Sequence, residues 1–221
     1  MPRSTVDANA FDRIALPFTA VIFLLFAMVL PSVRLRQRTG RLAFVLHQQA
    51  NPFQQVLGLS MGLFILGMTV WSVLYALLGG EALGVWSAPA SIRWVGWGVA
   101  GGGLLVTMVA QAQMGPSWRI GIDRERTELV TGGLFAVVRN PIFTGMLLVV
   151  TGIALVTPSA WTVMAWANYV LLVSLQVRLE EEHLMRLHGD TYRAYAARVG
   201  RFVPGVGRLP AQLQAGGVAH A

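Results

Sequence analysis

Long apolar stretches without a charged residue dominate the chain, and short polar segments separate them. A transmembrane helix needs about 20 mostly apolar residues. Residues 14–33 therefore predict a first helix, and residues 42–80 predict a second after a break at Asn51 and Pro52. The residues before that break are candidates for an interfacial segment. Residues 94–118 predict a third helix.

The fourth apolar stretch, residues 140–177, is long enough for two helices. Thr157, Pro158 and Ser159 lie at its centre and supply a turn, because the residue before a proline disfavours helical backbone. The pattern therefore predicts an all-α integral membrane protein with about five transmembrane helices, the last two forming a C-terminal hairpin.

The basic residues indicate how these helices are oriented. All 17 are arginine, and cytoplasmic loops collect basic residues. Only Arg3, Arg13 and Arg93 fall on one side of the predicted membrane. The others follow helices one, three and five: Arg34, Arg36, Arg38, Arg41, Arg119, Arg124, Arg126, Arg139, Arg178, Arg186, Arg193, Arg198, Arg201 and Arg208. We therefore expect a multi-pass protein of a bacterial inner or cell membrane, with its N-terminus outside and its C-terminus cytoplasmic.

Composition agrees with lipid as the solvent. The chain is 55% hydrophobic and 12% charged, against roughly 25% charged in an ordinary globular domain. A nucleic-acid partner is not expected, because the arginines are divided among separate loops. Without cysteine there is no disulfide framework or thiolate site, and the histidines lack the spacing of a zinc motif, so no metal is expected. The first apolar run lacks a small-residue cleavage site and predicts a retained helix.

Small residues in helices two and three are spaced for close helix packing. Gly58 with Gly62, and Gly98 with Gly102, have the GxxxG spacing that lets helix backbones approach in lipid. We interpret both pairs as packing positions, and the tryptophans near them as interface or core aromatics.

The start of helix four is the first candidate for chemistry. Residues 115–139 are predicted to form a loop that contains a short extended piece. The loop ends at Arg139, and Asn140 and Pro141 lead into the helix. Asn140 as N-cap and Pro141 at the first helical position account for the helix start without a ligand. The same geometry leaves backbone N–H groups free to donate hydrogen bonds to a polar or anionic group of a cofactor. The sequence does not decide between a purely structural helix start and a cofactor site.

Charged residues where helix five leaves the membrane form the second candidate. Arg178 precedes Glu180, Glu181 and Glu182, and the helix is expected to continue into the cytoplasm. Arg186 lies four residues after Glu182, which favours a surface ion pair there. Glu180 and Glu181 have no such partner and are better candidates for holding a cation. Beyond them, the sequence predicts a helix closed by Gly189, a short helix with Tyr192 and Tyr195, and a turn at Pro204.

These segments together resemble a known family. The run LVTGGLFAVVRNPIFTG, the following hairpin, EEEHL and HGDTYRAYAARVGRFVP are similar, in order and spacing, to the isoprenylcysteine carboxyl methyltransferase and phospholipid methyltransferase family. The likeness covers roughly residues 115–204. It implies a membrane enzyme that binds S-adenosylmethionine on the cytoplasmic side and methylates a lipophilic or amphipathic acceptor, such as a lipid-anchored carboxylate or a lipid head group, that enters from the bilayer.

The resemblance also implies roles for individual residues. The family signature Arg-His-Pro-x-Tyr-x-Gly falls on residues 139–145, and its paired glutamates fall on Glu180 and Glu181. Cofactor binding is then expected at Leu129, Val130, Phe135, Asn140, Pro141, Ile142, Phe143 and Glu180, and catalytic roles at Arg178 and Glu181. Asn140 stands where the family has histidine, and Phe135 and Phe143 stand where tyrosine is usual. Arg178 is also offset from its expected position before the glutamates.

We expect residues 1–114 to be a scaffold, residues 115–208 to form the methyltransferase-like region, and residues 209–221 to be a disordered tail. Two rival functions remain at this point. One is an NADPH-dependent sterol or enone reductase, whose Arg-Asp pair and cysteine near the last helix are missing here. The other is a non-catalytic scaffold or carrier, which the near absence of ionisable residues in the spans disfavours as a transport path.

Overall fold

The computed structural model describes residues 3–40, 52–115 and 128–210. The elements are α1 (Arg3–Phe23), a π-helical stretch (Leu24–Val29), α2 (Leu30–Thr39), α3 (Pro52–Leu78), α4 (Ala90–Met114), α5 (Pro141–Val156), α6 (Ala160–His188) and α7 (Asp190–Arg198), with short 3-10 turns at Glu81–Leu83 and Gly133–Ala136. Several predictions fall outside this described part. They concern the interfacial segment before Pro52, the portion of the predicted extended piece within residues 116–127, the tail residues 211–221, and four arginines: Arg41, Arg119, Arg124 and Arg126.

The predicted all-α membrane architecture is confirmed. Within the described residues, four helices are long and apolar enough to cross a membrane: Ala10–Gln37, Pro52–Leu78, Ala90–Met114 and Ala160–His188. The fifth, α5, has 16 residues and is about 24 Å long at 1.5 Å per residue, less than the roughly 30 Å hydrocarbon core. Many leucine, valine and phenylalanine side chains point outward from these helices. Such an apolar surface suits contact with lipid.

The hairpin of α5 and α6 turns where the sequence predicted. The Ser159 side chain caps α6 through a capping box with Thr162, and the Thr162 hydroxyl donates to Thr157 O at 2.7 Å. At its far end α6 continues beyond the apolar stretch to His188, where Gly189 ends it with a φ of 52°. The short helix α7 follows with Tyr192 and Tyr195, so the predicted C-terminal elements are confirmed.

Close packing between α4 and α5 uses glycines other than those predicted. Gly96 and Gly103 of α4 meet α5 so tightly that a Cβ on Gly103 would lie 2.5 Å from Gly145 O. A Cβ on Gly98, Gly102 or Gly62 would meet nothing within 4 Å. The predicted GxxxG contacts at these positions are therefore wrong within the chain. Each residue advances about 100° around a helix, so Gly98 and Gly102 face away from the side that α5 occupies.

The first helix begins earlier than predicted and contains a buried charged residue, Asp12. Asp12 is 2% exposed, and it accepts hydrogen bonds from Arg93 and from Trp97 Nε1 of α4, the latter at 3.0 Å. The apolar run alone excluded Asp12, because an unpaired carboxylate is costly in a membrane. Pairing with Arg93 removes that objection. We call this end of the helix bundle the Asp12 end, and we call the opposite end, where α5 begins and α6 ends, the Arg139 end.

Candidate active site

The start of α5 organises the Arg139 end. Asn140 occupies the N-cap position and Pro141 the first helical position, as predicted, but the Asn140 side chain makes no capping hydrogen bond. Instead its Nδ2 donates to Arg201 O at 3.3 Å and lies 3.4 Å from Glu181 Oε1. The prediction that the Asn140 side chain caps α5 is wrong, because two acceptors from later in the chain draw the amide away from the helix.

Arg139 is buried, with 5% of its surface exposed. Its guanidinium donates to Glu181 Oε1 from Nε at 3.0 Å and to three carbonyl oxygens, those of Ala196 at 2.9 Å, Val199 at 2.5 Å and Gly207 at 3.0 Å. Arginine has five N–H donors in a fixed planar array. Arg139 thus ties α6, the end of α7 and the turn after it to the start of α5.

Glu181 is the shared anion of this cluster. It is 3% exposed, and Arg139 Nη2 lies 2.9 Å from its Oε1. Arg201 donates to Oε2 from Nη2 at 2.6 Å and from Nε at 3.1 Å. Both carboxylate oxygens are therefore held by guanidinium groups. Two cations around one anion leave a net charge of about +1, and Arg201 carries it toward solvent because its side chain is 27% exposed.

Backbone contacts add to this cluster. Arg139 N donates to Gly200 O at 2.8 Å and Asn140 N to Arg201 O at 3.2 Å, next to an isolated bridge between Val138 and Gly200. A Cβ at Gly200 would collide with Val203 O. The Thr144 hydroxyl is 3.0 Å from Phe202 O. The segment of residues 199–207 is therefore fastened to the first turn of α5, and only glycine fits at position 200.

A second contact joins α7 to the loop before α5. Tyr195 Oη donates to Phe135 O at 2.6 Å, and Leu129 packs against the cluster of Tyr192, Tyr195 and Ala196. Burial raises the pKa of Tyr195 to about 12 and also raises the pKa of Tyr192. Both hydroxyls therefore stay protonated at physiological pH. The Phe135 ring is itself buried.

Glu180 and Arg178 lie on opposite flanks of α6. Val177 and Glu181 are on its buried side. At about 100° per residue, Arg178 lies roughly 160° around the helix from Glu180, and its side chain is exposed. Glu180 is half-buried and accepts from Gln176 Nε2 at 2.7 Å. The structure does not bring Arg178 and Glu180 to one point.

The remaining predicted cofactor residues divide between two sides of α5. Ile142 packs with Leu35 and Met114, whereas Phe143 belongs to an apolar cluster with Tyr169 and Phe202. Val130 is half-buried in the loop before α5, and Pro141 is buried. The loop that holds Leu129, Val130 and Phe135 thus contacts α7. Asn140 and Glu180 lie beside the arginine cluster, and Ile142 and Phe143 form contacts between helices.

Sequence reasoning missed the roles of Arg201, Thr144 and Tyr195 at this end. The sequence pattern places Arg201 and Tyr195 in C-terminal elements but assigns neither a contact. Two signals pointed to them: Arg201 stands in an Arg-x-x-Pro turn, and two tyrosines share a nine-residue polar helix. Neither signal identifies the partner, because Arg201 lies 20 residues from Glu181 and Tyr195 lies 60 from Phe135.

The carboxylate of Glu180 has spare capacity to accept a hydrogen bond. Glu180 uses one carboxylate oxygen for Gln176, and among the described residues its Oε2 has no hydrogen-bond partner. A half-buried carboxylate with a free oxygen can accept from an ammonium or hydroxyl group. Glu181 cannot serve in the same way, because arginines occupy both of its oxygens.

Comparison with known proteins places most of this end of the structure within a region of recognised similarity. Residues 92–191 match the model of the phospholipid methyltransferase family. A protein-S-isoprenylcysteine O-methyltransferase from Dictyostelium discoideum is 27% identical over 121 residues, which cover 52% of this chain and 51% of that protein. The chain is therefore similar, over just under half of its length, to a family of membrane methyltransferases. The region that matches the family model begins within α4 and ends before Arg201. The sequence analysis assigned α4 to the scaffold.

The chain spans about half the length of the curated relative that it matches. A solved structure of a eukaryotic intramembrane Ras methyltransferase, isoprenylcysteine carboxyl methyltransferase, aligns with a TM-score of 0.49 at 18% identity, covering 73% of this chain and 56% of that one.

Proposed function

We propose that this protein is an S-adenosylmethionine-dependent methyltransferase that methylates a lipophilic or amphipathic acceptor at the Arg139 end. The observation that carries the proposal is the shared burial of Arg139 and Glu181 beside Glu180, inside the region that matches the methyltransferase family. The arginine distribution supports a cytoplasmic location for this end. Bound S-adenosylmethionine would supply an electrophilic methyl group on a positively charged sulfur.

The chain's part in such a reaction is mainly positioning. Methyl transfer from a sulfonium is an in-line displacement, and alignment can contribute about 7 to 11 kcal/mol to lowering a barrier of this kind. The cluster of Arg139, Glu181 and Arg201 fixes the start of α5, the end of α6 and residues 199–207 relative to one another. We assign Glu181 a positioning role, because its oxygens are already paired.

Glu180 is the residue we assign to the cofactor. Its side chain is half-buried, and its Oε2, which has no partner among the described residues, can accept from the amino group of the methionine moiety. The loop before α5 contributes apolar side chains next to α7, namely Leu129, Val130 and the buried Phe135. These side chains suit contact with the apolar parts of an adenine. Asn140 keeps one N–H group directed at Arg201 O, so we assign it to holding the loop rather than to the cofactor.

Arg178 is the residue we assign to the acceptor. It is exposed on the flank of α6 opposite Glu180, so its role would be to attract an anionic acceptor group to this end of the protein before the acceptor reaches the cofactor. A carboxylate acceptor is already nucleophilic and needs no general base, whereas an amine or hydroxyl acceptor would need one. The proposal therefore favours a carboxylate on a lipid-anchored or prenyl-type molecule.

The cofactor is tested by thermal stability of the purified protein in detergent. S-adenosylhomocysteine at about 100 times its dissociation constant should stabilise the folded state by about 2.7 kcal/mol and raise Tm by several degrees. NADPH serves as the second arm and should leave Tm unchanged. If NADPH raises Tm and S-adenosylhomocysteine does not, the protein is better explained as an NADPH-dependent reductase than as a methyltransferase.

A further inference from the structure

A cavity of about 100 Å³ lies in the middle of the helix bundle, between α1, α3, α5 and α6. Its wall is almost wholly apolar, and Phe64 packs against Tyr169 there with ring centroids 5.1 Å apart. The cavity is partly open, so a chain molecule can place several methylenes in it while its ends extend beyond the cavity. The lining positions fall in the central parts of the long helices, which places the cavity at mid-membrane depth.

Three hydroxyl groups in the cavity wall already donate hydrogen bonds to backbone carbonyl oxygens. Thr19 Oγ1 donates to Ala15 O at 2.7 Å, Thr69 Oγ1 to Ile65 O at 2.9 Å and Ser72 Oγ to Thr69 O at 2.7 Å. Each of these bonds stays within one helix, a common arrangement for serine and threonine in membrane helices. These groups therefore offer no hydrogen to a molecule in the cavity.

Two other lining residues have a hydrogen-bond donor without an acceptor in the described part of the chain. Tyr169 is 3% exposed, and its Oη has no hydrogen-bond partner in the described part of the chain. The same holds for Nε1 of Trp71, a buried atom on a half-buried ring. Buried polar groups in proteins are nearly always paired, and an orphan needs an explanation. The indole N–H can only donate and the phenol also carries a hydrogen to donate, so one acceptor can serve both.

The cavity is separate from the proposed active site. Tyr169 and Glu181 are twelve residues apart on α6, about 18 Å at 1.5 Å per residue. The apolar side chains of Val173 and Val177 lie between them on the same face. A group bound at Tyr169 is therefore out of reach of Glu180 and is not the methyl acceptor.

We infer that this cavity binds a lipid whose apolar portion carries a carbonyl oxygen, with that oxygen accepting hydrogen bonds from Tyr169 Oη and Trp71 Nε1. A plain hydrocarbon chain fits the apolar wall but leaves both donors unpaired. An ionised group is excluded by the lack of any charged residue in the lining. A carbonyl flanked by hydrocarbon satisfies both requirements. The inference stands whether or not the methyltransferase activity is established.

Binding of radiolabelled dioctyl ketone to the full-length protein in detergent tests the inference, with heptadecane as the hydrocarbon of matched length. We expect saturable binding of one ketone per chain, and binding of heptadecane weaker by roughly tenfold, since a net hydrogen bond is worth about that factor. The infrared carbonyl stretch of isotope-labelled ketone should shift to lower frequency on binding. Equal binding of the two compounds, or an unshifted stretch, would overturn it.

Tyr169→Phe and Trp71→Phe each remove one proposed donor. Each should weaken ketone binding roughly three- to tenfold while leaving heptadecane binding unchanged. Thr69→Val is the matched control, because it removes a lining hydroxyl whose hydrogen is already used. Tyr169→Phe removes an unpaired hydroxyl, so Tm should not fall. A large fall in Tm, or unchanged ketone affinity in both donor variants, would mean that the cavity is not a carbonyl site.

Discussion

Arg139 and Glu181 stand 42 positions apart in the sequence and lie within 2.9 Å of each other in the structure, each almost without solvent contact. A buried ion pair is costly to form, because both charges leave water, and it persists only when every donor and acceptor is used. Here Arg201 and three backbone carbonyls complete the set. Breaking the pair should therefore affect the whole Arg139 end.

Arg139→Gln should lower stability by about 3 kcal/mol, the lower end for a broken buried pair, because Arg201 still compensates Glu181. It should also release residues 199–207, whose carbonyls lose their donor. Thermal unfolding in detergent measures the first effect, and hydrogen exchange at residues 199–207 measures the second. Arg193→Gln is the control, since the Arg193 pair with Asp190 is exposed to solvent and contributes little. Equal Tm values for both variants would contradict the assignment.

The helices followed from the sequence because lipid leaves few choices. Backbone groups in the bilayer must be satisfied within a segment, so each long apolar run became a helix, and Pro141 and Gly189 marked ends that the structure retains. The pairing of Glu181 was not predictable, since its partners are distant in the chain. The sequence also offered several glycines in α4, and the choice of Gly96 and Gly103 over Gly98 depends on which side α5 packs against.

The glycine packing between α4 and α5 gives a second prediction. Gly103→Val should destabilise the protein by about 1 to 3 kcal/mol or more, because a side chain there would overlap Gly145 O and Val149 N. Gly102→Val adds the same side chain one residue earlier, where it meets nothing within 4 Å. Tm in detergent should fall for the first variant and stay near that of the unmodified protein for the second. The reverse order would show that α4 is rotated.

Tyr195→Phe should cost about 1 kcal/mol, since Phe135 O would lose its donor. The pKa of Tyr195 is raised from 10.0 to about 12 in the folded protein. The stabilisation is therefore complete below pH 10 and is lost as pH rises through 12. The Tm difference between the two proteins should be constant from about pH 6 to 9 and should shrink above pH 10. A difference that varies with pH below about 9 would mean that another group titrates there.

Arg178→Gln tests the assignment of this residue to the acceptor. Arg178 is exposed and lies away from Glu180, so the change should raise KM for an anionic acceptor several-fold while leaving kcat and the affinity for S-adenosylhomocysteine nearly unchanged. Arg186→Gln, two turns further along α6 and also exposed, is the matched control. If both variants raise KM equally, the effect reflects general surface charge rather than a contact at Arg178.

Glu180→Gln separates the cofactor role of Glu180 from the positioning role of its neighbour. The amide keeps the shape and still accepts from Gln176, but it loses the negative charge proposed to pair with the ammonium group. A charged hydrogen bond contributes about 1.5 to 3 kcal/mol, which corresponds to a loss of S-adenosylhomocysteine affinity of at least tenfold. Calorimetric titration measures that affinity directly.

Two further variants complete this test. Glu182→Gln removes an exposed carboxylate two residues away and should leave the affinity unchanged. Glu181→Gln should act differently from both: because it breaks the pairing with Arg139 and Arg201, Tm without ligand should fall, whereas Glu180→Gln should leave that Tm nearly unchanged. Should Glu180→Gln bind S-adenosylhomocysteine as tightly as the unmodified protein, Glu180 does not contact the cofactor, and the free oxygen beside Gln176 serves only the surface of α6.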